Sequence, residues 1–186
     1  MAVATNKLTD TTGIQLNRDA FVVIIKTEWN AHVTDLLEEG CVKILDANNI
    51  SHKTILVPGA FEIPFTINKY WQILKEKEED DLLDEDFLVE IDQVENFTPK
   101  EINFPDAFIA LGCVIKGDTP HFEYVCQGVT QGMMHLNTTL PVPIMNGILT
   151  VHDQIQADER TGGRNGHKGE ECAAAAIKMI ALSQSF

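Results

Sequence analysis

The residues able to do chemistry fall in short clusters, each directly after an apolar run. In Gly112-Cys-Val-Ile-Lys-Gly-Asp-Thr-Pro-His-Phe-Glu-Tyr124, a glycine turn leads into Thr119-Pro120, a capping residue followed by the imino acid favoured at a first helical position. A helix opening there leaves unpaired amides and a positive dipole end, which suit an anion such as phosphate. His121 falls in the first turn, beside that anion position. Histidine changes charge near neutrality, so the place suits general acid–base work; a solvated or capping histidine is the alternative. The segment is neither a Walker loop nor a G-x-G-x-x-G fingerprint.

Three further clusters follow the same rule. Lys26-Thr-Glu-Trp29-Asn30 places a tryptophan just beyond an apolar strand, either as an edge of the core or as a flat wall for a planar ring. Val57-Pro-Gly-Ala-Phe-Glu-Ile-Pro64 bends sharply at Pro58-Gly59, so the amides of Ala60, Phe61 and Glu62 would point outward at a helix start. Glu62 itself reads as a ligand contact or as a residue complementing the helix dipole. Asp158-Glu-Arg-Thr-Gly-Gly-Arg-Asn-Gly-His-Lys-Gly169 puts Arg160, Arg164 and Lys168 in one glycine-rich loop. Solvation explains any one of these cations; together, beside a helix start, they resemble clamps for a phosphorylated substrate.

The elements that must hold these clusters alternate. Phe21–Ile25, Ile55–Val57, Ala107–Ile115 and Val142–Thr150 are short apolar runs, the pattern of strands buried on both faces. Helices are expected after Asn30 as N-cap, from about Phe61 through Leu74, from Thr119 to about Asn137, near Gln154–Arg160, and from about Gly169 to Leu182. Such alternation predicts an α/β fold, a three-layer sandwich with a four-stranded parallel sheet flanked by helices. Ligands of such sheets bind outside the carboxyl ends of the strands, where all four clusters lie.

Length and composition agree with one soluble domain over residues 1–186: 44% hydrophobic and 23% charged residues are the balance of a globule, not a disordered chain. A net charge of −14 argues against nucleic acid and anionic membrane surfaces as partners. The charge is concentrated: Lys75–Phe104 holds 12 acidic and 3 basic residues, leaving only −5 for the rest. That segment reads as a solvated surface insertion or as a docking site for a basic partner, and its first part, KEKEEDDLLDEDF, as a helix extension or as disorder. Cys41, Cys113, Cys126 and Cys172 are widely spaced, three of them in apolar or amphipathic runs, so they read as buried free thiols. With no signal-like apolar stretch in MAVATNKLTDTTG, a cytoplasmic address is expected, and no closely spaced ligand pair predicts a metal site.

VPGAFEIPF, GCVIKGDTPHFEYVCQGVTQG, NGILT and DERTG…GHKGEECAAAAIKM occur in this order, and the set resembles the 6,7-dimethyl-8-ribityllumazine synthase family from Phe21 onward, the acidic insertion excepted. The resemblance implies a flavodoxin-like fold and a transferase of riboflavin biosynthesis. It would condense 5-amino-6-(D-ribitylamino)uracil with 3,4-dihydroxy-2-butanone 4-phosphate, releasing phosphate and water, with no metal or organic cofactor. Carried over by position, Trp29 stacks on the pyrimidine, while Ala60, Phe61, Glu62, Cys113, Val114, Ile115 and Asn146 line the ring and ribityl chain. Asp118, Thr119, Arg160 and Lys168 meet the butanone phosphate, and His121 transfers protons. The resemblance also implies a homopentamer, or a multiple of it, with Asn146, Arg160 and Lys168 supplied by the neighbouring subunit. A flavin or nucleotide carrier and an acidic scaffold remain alternatives, and His121 beside a phosphate clamp discriminates against both.

Three departures stand out. Asn146 occupies a position that often carries phenylalanine, which makes the pocket wall more polar. Asp118 sets a carboxylate beside an expected phosphate, so its side chain must turn away. The acidic insertion joins a helix to the amino end of a strand, so it is expected at the end of the sheet opposite the site.

Overall fold

The computed structural model describes residues 8–88 and 103–186. Four strands, β1 (Phe21–Thr27), β2 (Ser51–Val57), β3 (Ala107–Ile115) and β4 (Ile144–Val151), form one sheet in the order β2-β1-β3-β4. All three pairings are parallel. The expected α/β three-layer sandwich, with its flavodoxin-like strand order, is what the chain adopts.

Helices α1 (Ala31–Ala47) and α5 (Lys168–Ser183) cover one face of the sheet. The other face is covered by α2 (Ile63–Leu88) and α3 (His121–Thr139). The doubly apolar strands explain both layers. In β1, Val22 and Ile24 point to the α1/α5 face while Val23 and Ile25 point to the α2/α3 face, and all four are fully buried. The same alternation in β3 sends Ile109 and Leu111 one way and Phe108 and Ala110 the other. Edge strand β2 begins earlier than its apolar run because Ser51–Thr54 pair in register with Phe21–Ile24. Backbone pairing extends it, not burial.

Boundaries correct the sequence reading in four places. A 3-10 turn over Ala60–Glu62 precedes α2, so Pro64 lies in the first turn as expected. Pro120, not Thr119, holds the N-cap position of α3, with no side-chain cap, and His121 is the first helical residue. Helix α4 is only Gln154–Asp158. The glycine-rich loop after it is a small antiparallel hairpin, β5 (Thr161–Gly163) and β6 (Gly166–His167).

The first part of the acidic segment prolongs α2 to Leu88; residues 89–102 lie outside the described residues. At about 1.5 Å per residue, the 26-residue α2 outruns strands of seven to nine residues. Its core contacts come from Ile63 and Ile67. Trp71 then packs on Phe104, ring centroids 5.1 Å apart, at the amino end of the sheet. There the buried Asp106 accepts a hydrogen bond from the Phe21 N–H at 2.9 Å and pairs with Arg18 at 2.5 Å. The flanks of the insertion therefore sit at the end of the sheet away from the strand carboxyl ends, as expected.

Candidate active site

Beyond β1 the chain turns over the sheet edge. Glu28 and Trp29 donate their N–H groups to Val57 and Pro58 carbonyls at 2.8 and 3.2 Å, and the Thr27 hydroxyl donates to the Trp29 carbonyl at 3.2 Å. The backbone is fixed, yet the indole is 74% exposed. Of its two readings, Trp29 is no part of the core; it is a free flat face. Asn30 is the N-cap of α1 as expected, but its side chain donates to the Cys113 carbonyl at 2.8 Å instead of capping the helix.

At the end of β2, Gly59 lies between Trp29 and Glu62: a side chain there would come within 3.1 Å of the Glu62 carboxylate and 3.9 Å of the indole. Phe61 is exposed on one side, and its ring edge rests on Gly128 of α3. Of the three amides expected to face a ligand, that of Glu62 is engaged with the Gly59 carbonyl at 3.3 Å. Those of Ala60 and Phe61 carry no hydrogen bond among the described residues.

At the end of β3, Cys113 is buried while Val114 and Ile115 are partly exposed. Burial, reinforced by the negative charge of Asp158, pushes the Cys113 thiol up to about 11, so it stays protonated and is no nucleophile at neutral pH. Lys116 is held by its N–H to the Val151 carbonyl at 2.9 Å and by an ion pair with Glu123 at 3.5 Å. Between these anchors Gly117, Asp118, Thr119 and Pro120 are all exposed, with open space above Gly117. His121 follows, exposed and without a hydrogen bond among the described residues. The ring is neither packed in the core nor capping the helix, so the proton-transfer and solvated readings both fit its place.

The last group lies along the other flank. Asn146 is exposed on edge strand β4, where its Oδ1 accepts the Ile148 N–H at 3.0 Å. It lines a cavity of about 60 Å3 with Val114, Cys126, Thr130 and Thr150. Arg160, at the start of the hairpin, makes a bidentate pair with Glu171 of α5 at 2.9 and 2.6 Å and also donates to the Asn165 carbonyl. That pairing keeps the guanidinium firmly charged. Arg164 pairs with Glu159 at 2.7 Å. Two of the three loop cations are thus neutralised within the chain. The N–H of Lys168 donates to the Arg160 carbonyl at 2.8 Å, which places the two residues together, and its ammonium has no partner among the described residues.

Two half-sites result. Trp29, Ala60–Glu62, Cys113–Ile115 and Asp118–His121 gather over the ends of β1, β2 and β3. Arg160 and Lys168 flank the hairpin at its start and at the start of α5, with no hydrogen bond or ion pair among the described residues joining either to Trp29, Glu62 or His121, while Asn146 on β4 shares its cavity with Val114 of β3. A larger cavity of about 550 Å3 opens at the opposite end of the sheet, lined by Arg18, Trp71, Phe104, Asp106, Pro143 and Gln184. It has no histidine, and its carboxylate is already bonded to Phe21 and Arg18. Sequence reasoning missed Asn30 as a strut and Glu171 as the partner of Arg160. The only signal for the latter was an acidic residue in the first turn of the last helix.

The chain is similar to 6,7-dimethyl-8-ribityllumazine synthase of Bacteroides fragilis, 41% identical over 160 residues, covering 84% of this chain and 92% of the relative. The Porphyromonas gingivalis protein of that name is 35% identical over 189 residues, covering 99% of each chain. That of Xanthomonas campestris is 36% identical over 165 residues, covering 87% and 88%. The family model described as 6,7-dimethyl-8-ribityllumazine synthase matches residues 19–83 and 89–184. Both half-sites fall inside these matches, and the chain belongs to the 6,7-dimethyl-8-ribityllumazine synthase family.

Proposed function

We propose that this chain condenses 5-amino-6-(D-ribitylamino)uracil with 3,4-dihydroxy-2-butanone 4-phosphate to give 6,7-dimethyl-8-ribityllumazine, the penultimate step of riboflavin biosynthesis. The observation that carries the reading is the end of β3. An exposed imidazole, His121, opens α3 next to an exposed turn over Gly117–Thr119, within a family named for this product.

The aromatic amine attacks the ketone carbonyl and forms an imine with loss of water. Phosphate then leaves by elimination, and a second condensation closes the ring with loss of another water. Both substrates are reactive by themselves, so the protein mainly supplies positioning, for which effective molarities of about 10⁵ M are attainable. Trp29 offers its face to the pyrimidine, and the amides of Ala60 and Phe61 meet ring carbonyls. Glu62 and the Cys113–Ile115 edge hold the ribityl chain, with Asn146 on the far wall. Thr119 and the amides opening α3 take the phosphate, and the Asp118 carboxylate turns outward. His121 carries protons to and from the nitrogen and oxygen atoms that change bonding. Arg160 and Lys168 balance the charge of the departing phosphate.

That Arg160 and Lys168 make no hydrogen bond or ion pair to Trp29, Glu62 or His121 among the described residues fits a site built between copies. The working unit is a homopentamer, or a multiple of it, in the cytoplasm, with Asn146, Arg160 and Lys168 of one subunit completing the neighbour's site. No helix among the described residues is long and apolar enough to cross a membrane.

Mixing the two substrates with the purified chain tests the proposal directly. Growth of lumazine fluorescence with stoichiometric phosphate release is expected. Flavin binding without turnover would replace the synthase reading with that of a carrier.

A further inference from the structure

We propose that Asn30 is a positioning residue for the pyrimidine slot, fixing the Trp29 turn against the end of β3 before any ligand arrives. The inference rests on the assignment of Trp29 and Cys113–Ile115 as the two sides of that slot.

Pairing between β1 and β3 stops at Lys26 and Leu111. Past this point β1 parts from β3 while Thr27 still pairs with Val57 of β2, and the β1–β3 ladder offers the Cys113 carbonyl nothing on that side. Asn30 Nδ2 donates to it at 2.8 Å, a side-chain amide standing in for the missing strand. To reach it, the Asn30 backbone adopts φ 57° and ψ 43°, the left-handed region that asparagine and glycine tolerate best. The Asn30 carbonyl meanwhile accepts the Val33 and Thr34 N–H groups at 2.8 and 3.0 Å, so α1 starts from the same residue. Packing cannot place the exposed indole of Trp29; its backbone must. That backbone is tied to β2 through Pro58 and, one residue on, to β3 through Asn30. The slot walls are therefore held at fixed spacing by a single donated hydrogen bond across 83 residues of sequence.

Two variants isolate the amide. Asn30→Gly keeps the left-handed backbone and deletes the donor; Asn30→Asp keeps the shape and sets an oxygen against the Cys113 carbonyl. Both are expected to raise KM for the pyrimidine substrate by about tenfold, the scale of ordering one side chain on binding. At saturation kcat, and KM for the butanone phosphate, should stay within about a factor of two. Ile177→Val, on the buried face of α5, serves as the stability control, with neither KM changed. An unchanged pyrimidine KM in a folded Asn30 variant, or an equal rise for both substrates, overturns the proposal. Trp29→Ala separates the two levels. If it raises the pyrimidine KM while the Asn30 variants do not, positioning alone is wrong. If it too leaves that KM unchanged, the slot assignment falls and the proposal with it.

Discussion

In the proposed mechanism, His121 and Arg160 are the two side chains whose loss would distinguish proton transfer from phosphate binding. His121 is exposed and bonded to nothing else described, so His121→Ala should leave the thermal midpoint unchanged. Turnover should fall by about 10²–10⁴-fold, the usual worth of a positioned acid–base group, with measurable activity left because positioning survives. Stopped-flow or fluorescence progress curves at saturating substrates read this directly, and an unchanged kcat would remove His121 from the mechanism. Arg160 differs, since its guanidinium is already bonded to Glu171 and to the Asn165 carbonyl. A bidentate guanidinium still has donors directed elsewhere, so it can hold a phosphate oxygen while Glu171 fixes its plane. Arg160→Ala should chiefly raise KM for the butanone phosphate; equal KM values in variant and parent would refute the phosphate assignment. Both were legible as candidates because each lies in a contiguous motif, His121 after β3 and Arg160 after the short helix that follows β4. Asn30 and Glu171 were not, because their roles depend on partners that only the folded chain brings close: Asn30 bonds Cys113, and Glu171 bonds Arg160 across the β5–β6 hairpin.

The helices that carry these residues hold position through close approaches that a small substitution can test. In α5, Gly169 lies so near α1 that an added Cβ would sit 1.9 Å from the Leu37 carbonyl oxygen. Gly169→Ala must therefore push α5 off α1, at a cost of about 1–3 kcal/mol in urea unfolding. Because Lys168 is the preceding residue, the same change should also raise KM for the butanone phosphate. His167 supplies the second test at this helix start. Its ring packs against Gly40 of α1, and its Nδ1 accepts the Glu170 N–H at 3.5 Å. Burial lowers its pKa below the ordinary value, with Lys43 adding to the effect and Glu170 and Glu171 opposing it. The unfolded chain thus binds this proton more readily than the folded one, so the stability from neutral His167 is complete above about pH 6.5 and is lost as pH falls. His167→Asn keeps a capping oxygen and cannot take up the proton, so its thermal midpoint should decline less steeply below that pH than the parent's. Parallel slopes would show that the ring does not titrate with unfolding. At this scale the doubly apolar strands and amphipathic helices were readable, since burial on both faces leaves no polar positions. The hairpin was not: Thr161–Gly163 and Gly166–His167 are too short and too polar to show a two-residue period, and positive φ at Gly162 and Gly166 decides their shape.

Across the whole molecule, the exposed apolar side chains and the net charge pull in opposite directions. Phe61, Phe65, Tyr124, Met134 and Ile155 are large apolar side chains exposed on the single chain, and covering them in an assembly would favour association. A charge of −14 on each copy nevertheless opposes association, so assembly should strengthen with salt as that repulsion is screened. Complementation between defective subunits tests whether such assembly completes the site. In the proposed arrangement each site takes His121 from one subunit and Arg160 from its neighbour. Pentamers of His121→Ala chains lack every imidazole, and pentamers of Arg160→Ala chains lack every guanidinium. When the two are unfolded together and reassembled at equal amounts, neighbours pair at random. About one interface in four then joins an intact His121 to an intact Arg160, in a closed ring whose interfaces are all equivalent. Activity at low butanone phosphate should recover to about a quarter of the parent's, well above either variant alone. A site contained within one chain would give no recovery at any ratio, because no subunit in the mixture carries both residues.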